Sequence, residues 1–365
     1  MITMAVKKTG ISRDLIIHPG ETISDILVER SITQAELAAR TGVSAAYVSN
    51  VIAGKKDISA NFAFGLEYAL GVPKSFWLNL QARYDAELLE YNAEMTITEE
   101  EKQARESLKE IVSYLRKKGR IPQREKKEDS ILSLRKSLQI SNLANLKEIA
   151  PTGAFRMADK AVDPYVMGAW MRICQIMADS RSVASQFDAS RIDEFVDQIK
   201  GIMRKCDPNF QKDLRQVMAG YGIDFSVFRN FRGAPVQGYI SQKSDGTYQM
   251  VLTLRGSYAD IFWFSLFHEL GHLVNGDLGK NARFVDDGMD QKKEQAADRF
   301  AGDRLMNRDD YQAFVNVGDY SIEAIRRFAE SQNVMPYIVI GRLQREKHLG
   351  YQCLNEYKLR YKWAQ

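Results

Sequence analysis

The stretch FHELGHLVNGD, residues 267 to 277, decides the interpretation of the C-terminal half of this chain. It contains two of the four histidines, His268 and His272, with Glu269 beside the first. Residues four apart on an α-helix lie one turn apart on the same face, so both imidazoles can approach one metal ion. Glu269 lies on the adjacent stripe, where it can reach a water on that ion. The spacing therefore predicts a helix with two metal ligands and one general base.

A second helical segment, EQAADRFAGDRLM (294 to 306), offers the residues that this pair lacks. Glu294 can supply a third ligand, and Asp298 lies one turn later on the same face. A carboxylate at that position can accept the free N–H of a ligand histidine and fix its tautomer. Three protein ligands leave a fourth position open, as in catalytic zinc sites. We expect one Zn²⁺ per chain, bound by His268, His272 and Glu294, with Glu269 as the catalytic base.

Three interpretations of the motif stay open at this stage. The zinc centre cleaves peptide bonds, or zinc is only a structural staple for partner binding, or the helix is a core helix that happens to carry two histidines. The apolar setting IFWFSLFHELGHLV (261 to 274) suits a buried helix in every case. Two buried histidines and a glutamate are costly unless they are paired or ligated, which favours a metal.

The N-terminal part carries a different pattern in TQAELAARTGVSAAYVSNVIAGKKDIS, residues 33 to 59. Two short helices flank a turn at Gly42, a spacing typical of a helix-turn-helix. Its second helix would enter the major groove, and lysines after it can contact phosphate. The candidate DNA-binding residues are Gln34, Ser44, Ala45, Ala46, Tyr47, Ser49, Asn50, Lys55 and Lys56.

A plain helical bundle without nucleic acid is the alternative for this segment. Residues 1 to 92 contain nine basic and ten acidic side chains, so their electrostatic attraction to DNA is weak. That balance favours binding as a dimer with local basic patches, or a modest affinity.

Length and pattern suggest how the chain is divided. A chain of 365 residues favours two or three domains. We predict a helix-turn-helix domain over 1–95, a charged helical linker over 96–130, and a second domain over 131–365 with its metal-site core at 221–345. Three β-rich stretches, 222–229, 234–241 and 247–255, predict a small antiparallel sheet in an otherwise helical chain. The expected fold is multidomain and mainly α, with a C-terminal α+β domain.

Composition points to a cytoplasmic protein without a membrane partner. The three cysteines are widely spaced and odd in number, which favours a reducing compartment over a disulfide framework. The first residues lack the apolar core of a signal peptide, and no run approaches the length of a membrane helix. The net charge of +4 does not by itself predict nucleic-acid binding.

The segment FWFSLFHELGHLVNGD followed by EQAADRFAGDRLM resembles the ImmA/IrrE family of zinc metallopeptidase domains. GAPVQGYI (233 to 240) and the stretch before the HExxH helix resemble that family as well. The resemblance implies a zincin-like fold in which His268, His272 and Glu294 bind zinc and Glu269 is the base. Ala296 departs from the pattern, because the family often has a second acidic residue there.

The N-terminal segments HPGETISDILVERSITQAELA and GVPKSFWLNLQARYD resemble the XRE-type antitoxins of the HigA family over residues 15 to 90. The resemblance implies a five-helix, lambda-repressor-like domain that binds operator DNA as a homodimer. It also implies a cognate toxin as a partner.

Together the two resemblances predict a DNA-binding transcriptional regulator, the antitoxin of a toxin–antitoxin module, which represses its own operon and carries a zinc-peptidase-like domain. The alternatives are an active zinc endopeptidase that cleaves a repressor or toxin, and a protein in which zinc is a structural staple for partner binding.

Overall fold

The computed structural model describes residues 15–149, 162–207, 209–278, 283–285 and 291–363. The chain divides into two compact units. The first extends to Thr98 and includes Lys126–Leu132, and the second comprises Glu99–Glu125 and the chain from Ser133 onward. Each unit has its own hydrophobic core.

The N-terminal unit contains five helices: α1 (Pro19–Glu29), α2 (Gln34–Thr41), α3 (Ala45–Ile52), α4 (Ala60–Leu70) and α5 (Lys74–Asn92). Side-chain caps define where they begin, since Thr33, Ser44 and Ser59 each accept a backbone N–H of the following helix. Gly42 ends α2 in the left-handed conformation, at φ 72°. The core contains Ile23, Leu37, Val48, Phe62, Leu66 and Trp77. The predicted helix-turn-helix fold of this unit is confirmed.

The second unit is mainly helical. Its helices are α6 (Glu99–Ser107), α7 (Lys109–Lys117), α8 (Lys127–Leu138, which begins among residues of the first unit), α9 (Leu146–Ile149), α10 (Pro164–Asp179), α11 (Ile192–Lys205), α12 (Phe210–Gly220), α13 (Ala259–Val274), α14 (Gln291–Leu305), α15 (Arg308–Val317), α16 (Ile322–Ser331) and α17 (Pro336–Arg345). Among the described residues, no helix combines the length and apolar character needed to cross a bilayer.

A four-stranded sheet lies between these helices in the order β1-β3-β2-β4. The strands are β1 (Ile223–Phe228), β2 (Gly238–Gln242), β3 (Tyr248–Thr253) and β4 (Arg283–Val285). The β2–β3 pair is antiparallel, as predicted. The strand β4, which the sequence did not predict, is also antiparallel to β2, but β1 pairs with β3 in parallel, so the sheet is mixed. After β1 the chain crosses the position of β3 and enters β2. The β2–β3 hairpin then reverses its direction, so that β3 lies between β2 and β1 and runs parallel to β1.

The segment predicted as a charged linker, 96–130, contributes two helices to this architecture. Glu101 of α6 is buried and accepts two hydrogen bonds from the Arg135 guanidinium, at 2.8 and 2.5 Å, and one from the Leu143 N–H at 2.9 Å. Ile111 and Leu115 of α7 are buried as well. Residues 99–125 therefore pack within the second unit, because α7 has an apolar face beneath its many charges. The domain boundaries predicted from sequence, 1–95, 96–130 and 131–365, stay a prediction.

A histidine begins the first helix. Buried His18 is the N-cap of α1, and its Nδ1 accepts the Gly20 N–H at 2.9 Å. The imidazole packs edge-on against Tyr84. Burial lowers the pKa of His18, although the charges of Asp57, Asp85 and Glu21 oppose this shift. A proton on Nδ1 would remove the cap and place a positive charge at a helix N-terminus.

We expect α1 to loosen in acid. Because folding lowers the pKa of His18, its stabilising effect is complete above about 6.5 and is lost as the pH falls through the folded-state value. Hydrogen exchange of peptides covering α1, corrected for intrinsic rates, should show lower protection at about pH 5 than at about pH 7.5. His18→Asn keeps a cap acceptor that does not titrate, and should remove the pH dependence. Identical pH profiles for both proteins would contradict this account.

Candidate metal centre and nucleic-acid interface

Helix α13 holds the HExxH residues in the interior of the second unit. His268, Glu269 and His272 are all buried on it. Gly271, between the two histidines, lets α13 approach α14 closely, because a Cβ at this position would lie 2.9 Å from the Ala297 Cα. This close crossing brings Glu294 of α14 to the histidines.

The three predicted ligand side chains converge on one point. His268 Nε2 lies 3.0 Å from His272 Nε2. Glu294 Oε2 is 3.2 Å from His268 Nε2, and Glu294 Oε1 is 3.5 Å from His272 Nε2. Within the described residues, these are the side chains that could hold one metal ion together.

A carboxylate fixes the outer nitrogen of each histidine. His268 Nδ1 is 2.9 Å from Asp298 Oδ1, and His272 Nδ1 is 2.9 Å from Asp277 Oδ2. Burial, together with the neighbouring His268, lowers the pKa of His272, so its ring is neutral at physiological pH. Burial alone would raise the pKa of Asp298, but its hydrogen bond with His268 and the charge of Arg345 lower it. Each Nδ1 lies within hydrogen-bonding distance of a carboxylate oxygen, which favours a proton on Nδ1 and a lone pair on Nε2.

The donor set fits a zinc ion. With both Nδ1 atoms protonated, the Nε2 lone pairs face one another at 3.0 Å and repel unless a cation lies between them. Donors on one tetrahedral zinc at about 2.0–2.1 Å lie roughly 3.3–3.4 Å apart, close to the separations found here. Glu294 Oε1 is buried and accepts no hydrogen bond within the described part of the chain. Nitrogen and carboxylate donors in this combination suit Zn²⁺.

The general-base candidate contacts the sheet. Glu269 is buried on α13, and a Cβ at Gly238 of β2 would lie 2.1 Å from Glu269 Oε1. A larger residue at 238 would therefore displace the carboxylate. Glycine at the start of β2 is required by this close approach.

A cleft of about 920 Å³ opens beside these residues. His268, Glu269 and Glu294 line it together with Gln237 and Gly238. The C-terminal segment forms another part of its wall through Tyr351, Asn355 and Lys358. Lys358 is held there by a buried ion pair with Asp260 at 2.7 Å. The site therefore has space for a substrate considerably larger than water.

Helix α3 presents the predicted DNA-reading residues of the N-terminal unit. Ala45, Ala46 and Ser49 are exposed, and Asn50 is half-buried. Gln34 is exposed at the start of α2, and Lys55 and Lys56 are exposed after α3. The arrangement places a helix with short polar and apolar side chains beside two cations, as major-groove binding requires.

Three of the predicted DNA-binding side chains have contacts within the unit, and the Lys56 ammonium lies 5.3 Å from the centre of the Tyr47 ring. The Ser44 hydroxyl caps α3 by accepting the Tyr47 N–H at 3.2 Å. The Tyr47 hydroxyl donates to Asp57 O at 3.2 Å, and its ring packs edge-on against Phe62. Ser44 and Tyr47 therefore stabilise the fold around α3, and any contact that they make with DNA is additional.

Sequence models of two families match the chain. Residues 23–77 match a helix-turn-helix family, and residues 246–341 match a peptidase family described as the IrrE N-terminal-like domain. The chain therefore carries an N-terminal helix-turn-helix domain of the XRE type and a C-terminal IrrE N-terminal-like domain. The family resemblances inferred from sequence are confirmed.

Individual relatives cover only part of the chain. Virulence-associated protein A′ of Dichelobacter nodosus is 41% identical over 69 residues, and the chain spans 60% of that protein's length. A structure from Nostoc punctiforme, assigned as an antidote protein of a plasmid maintenance system, is 39% identical and covers 22% of this chain and 97% of its own, with a TM-score of 0.20. An addiction module antidote protein of a HigA family from Coxiella burnetii is 29% identical, with 22% and 95% coverage and a TM-score of 0.20.

Asp277, Gly238 and Arg345 are the site residues that the sequence prediction omitted. Asp277 closes the quoted FHELGHLVNGD stretch, five residues after His272, so a second carboxylate for the second histidine could have been sought there. Gly238 had no local signal, because the need for glycine arises from a strand that meets α13. Arg345 donates to Asp298 Oδ2 at 2.7 Å from α17, which no spacing within the motif indicates.

Removing the Asp277 charge should weaken zinc binding. In Asp277→Asn the amide can present its NH₂ group to His272 Nδ1, which disfavours the tautomer that a metal requires, so zinc affinity should fall about 10- to 100-fold. Competition with a chromophoric chelator measures this. Asp303→Asn, an exposed carboxylate that lines the same cleft, is the matched control and should bind zinc like the wild type. Equal affinities for all three proteins would refute the role of Asp277.

Proposed function

We propose that this chain is a DNA-binding transcriptional regulator whose second unit is a zinc-dependent endopeptidase acting on a protein substrate. The single observation that supports the peptidase is the convergence of His268, His272 and Glu294 beside Glu269 in an open cleft. A structural zinc site is usually closed by four protein ligands, whereas three ligands next to a cleft are typical of catalysis.

The chain's own residues have separate parts in this reaction. Zinc, when bound, would polarise the scissile carbonyl and lower the pKa of an attacking water. His268 and His272 would hold the ion as neutral ligands, because Asp298 and Asp277 keep the protons on their outer nitrogens. Glu269 would take the proton of the attacking water and transfer it to the leaving amine.

Glu269 has a position suited to that proton transfer. Its carboxylate lies against Gly238 at the start of β2 and also lines the cleft, so it can contact both a water and a bound peptide. A merely structural glutamate would not need access to a cleft. This placement favours the endopeptidase over zinc as a structural staple for partner binding.

Glu269→Gln should abolish cleavage and keep the metal. General acid–base catalysis contributes about 10²- to 10⁴-fold, so the cleavage rate should fall by that factor while zinc content stays at one per chain. The assay is zinc-loaded full-length protein with a proteome-derived peptide library, read by mass spectrometry. Asp303→Asn is again the control and should cleave normally. Cleavage by Glu269→Gln at the wild-type rate would exclude Glu269 as the base, and no cleavage by either protein would favour the staple.

The DNA-binding part of the proposal depends on α3. The match to a helix-turn-helix family and the exposed α3 face support operator binding through Ala45, Ala46, Ser49 and Asn50. We infer that a homodimer binds two half-sites, as helix-turn-helix proteins commonly do. Lys55 and Lys56 would contact phosphate.

Asn50→Ala should weaken operator binding and change its sequence preference. Loss of a bidentate contact to adenine costs about 1–3 kcal/mol, or roughly 5- to 150-fold in affinity for the selected site. Selection from random DNA with the full chain identifies the site, and a fluorescence anisotropy titration at fixed salt measures the affinity. Asn79→Ala, an exposed asparagine of α5, is the control and should bind normally. An Asn50→Ala protein with unchanged affinity and preference would count against α3 as the reading helix.

The antitoxin role is a second candidate function. It is supported by the resemblance of residues 15 to 90 to HigA-type antitoxins, which repress their own operons and bind a toxin. In this role a cognate toxin is either the bound partner or the substrate of the cleft. Co-purification of a small basic protein with the Glu269→Gln chain, encoded beside this gene, would support it.

A further inference from the structure

Arginines line the cleft beside the metal-site residues. Four of them belong to α14, α15 and α17: Arg299, Arg308, Arg342 and Arg345. Several guanidinium groups in one cleft indicate a role in binding a ligand, if they are not already bound to other groups of the protein.

Arg342 is used by the fold. Its guanidinium lies 3.8 Å from the centre of the Tyr311 ring. It donates to Gly302 O at 3.1 Å and to Glu346 Oε1 at 2.9 Å. With two of its three nitrogens occupied and an aromatic ring on one face, Arg342 has a structural role.

Arg345 is held in place but keeps donors free. Its Nη2 donates to Asp298 Oδ2 at 2.7 Å, and its guanidinium lies 4.2 Å from the centre of the Phe264 ring. The side chain is 52% exposed, and its Nε and Nη1 have no acceptor among the described residues. Because Asp298 also holds His268, the guanidinium is fixed close to the metal-binding histidines.

Among the residues that the structure describes, two of the four cleft arginines are not paired with a carboxylate. Arg299 and Arg308 are exposed, and neither forms an ion pair within the described ranges. Asp260 is paired with Lys358, and Glu346 with Arg342. Asp298 already serves His268 and Arg345, and Glu294 and Glu269 have roles at the metal. In the described part of the chain, Asp303 is the one further carboxylate that lines the cleft, against Arg299 and Arg308, whereas Arg345 is paired with Asp298.

We propose that this cleft selects an acidic segment of its protein substrate, with Arg345 binding a carboxylate side chain next to the bond that is cut. The proposal rests on the proposed peptidase function and names its substrate class. A guanidinium already held by Phe264 and Asp298 loses little conformational freedom on binding. The second N–H of Nη2, together with the N–H of Nε or of Nη1, suits a bidentate contact with a carboxylate. Arg299 and Arg308 attract further acidic residues along the same segment.

A purely structural role for Arg345, as support for Asp298, is the competing explanation. It makes a different prediction for substrate binding. If Arg345 only holds Asp298, its replacement weakens zinc binding and affects acidic and neutral peptides equally. If it binds substrate, its replacement removes the preference for acidic peptides in protein that is still fully loaded with zinc.

The test measures peptide binding by the zinc-loaded full chain with Glu269→Gln, so that no cleavage interferes. Two pools of short fluorescent peptides differ only in having Glu or Gln at one central position, and affinity is read by anisotropy. The Glu pool should bind about tenfold more tightly, the value expected for one charge-assisted contact. Adding Arg345→Gln should remove this difference, and Arg345→Lys should restore part of it, because lysine keeps the charge without the bidentate geometry.

Arg327→Gln, an exposed arginine that does not line the cleft, is the matched control and should keep the full preference. Zinc content is measured for every variant to establish that the site is intact. Equal affinity for both pools, or a Glu preference that survives Arg345→Gln, would overturn the proposal. A Glu preference that depends on Arg345 in a chain whose wild type cleaves nothing would uphold acidic recognition and reject the peptidase.

Discussion

The candidate metal centre depends on two imidazoles that face each other, each with a carboxylate at its outer nitrogen. The carboxylates of Asp298 and Asp277 favour protons on the outer nitrogens of His268 and His272, and therefore lone pairs on the inner nitrogens, which lie 3.0 Å apart. That arrangement is repulsive without a cation and favourable with one. The close crossing of α13 and α14 at Gly271, which brings Glu294 to the pair, completes the same site.

The rest of the second unit can be understood as the framework for this site. The mixed sheet brings Gly238 against Glu269, and α17 brings Arg345 to the carboxylate that holds His268. The C-terminal segment is fastened by the buried Lys358–Asp260 pair and forms part of the cleft wall. Residues distant in sequence thus fix the orientation of His268 and His272, which lie one helical turn apart on α13.

The sequence was sufficient to predict those features whose residue pattern lies within a short segment of the chain. Helical spacing predicted that His268 and His272 share a face, and the turn at Gly42 between two short helices located the helix-turn-helix. The structure brings Glu294 and Asp298 to the histidines as expected. The spacing within each pair, His268 with His272 and Glu294 with Asp298, lies within one or two turns of helix, where periodicity carries the information.

Sequence was insufficient where the contact is made between distant elements. The parallel β1–β3 pair follows from a crossover that alternating residues do not encode, and the three-residue β4 is too short for any pattern. The apolar face of α7 lies among the charges of segment 96–130, and the linker limits drawn there stay a prediction. The sequence around Gly238 and Arg345 does not indicate their roles, because each contacts a residue of another element, Glu269 of α13 or Asp298 of α14.

The most direct measurement is a crystal structure of the zinc-loaded chain with anomalous data collected on both sides of the zinc absorption edge. The account predicts one strong anomalous peak per chain, bonded to His268 Nε2, His272 Nε2 and the Glu294 carboxylate. An absence of any peak there in protein soaked with zinc, with the two imidazoles turned apart or bonded to protein groups, would contradict it.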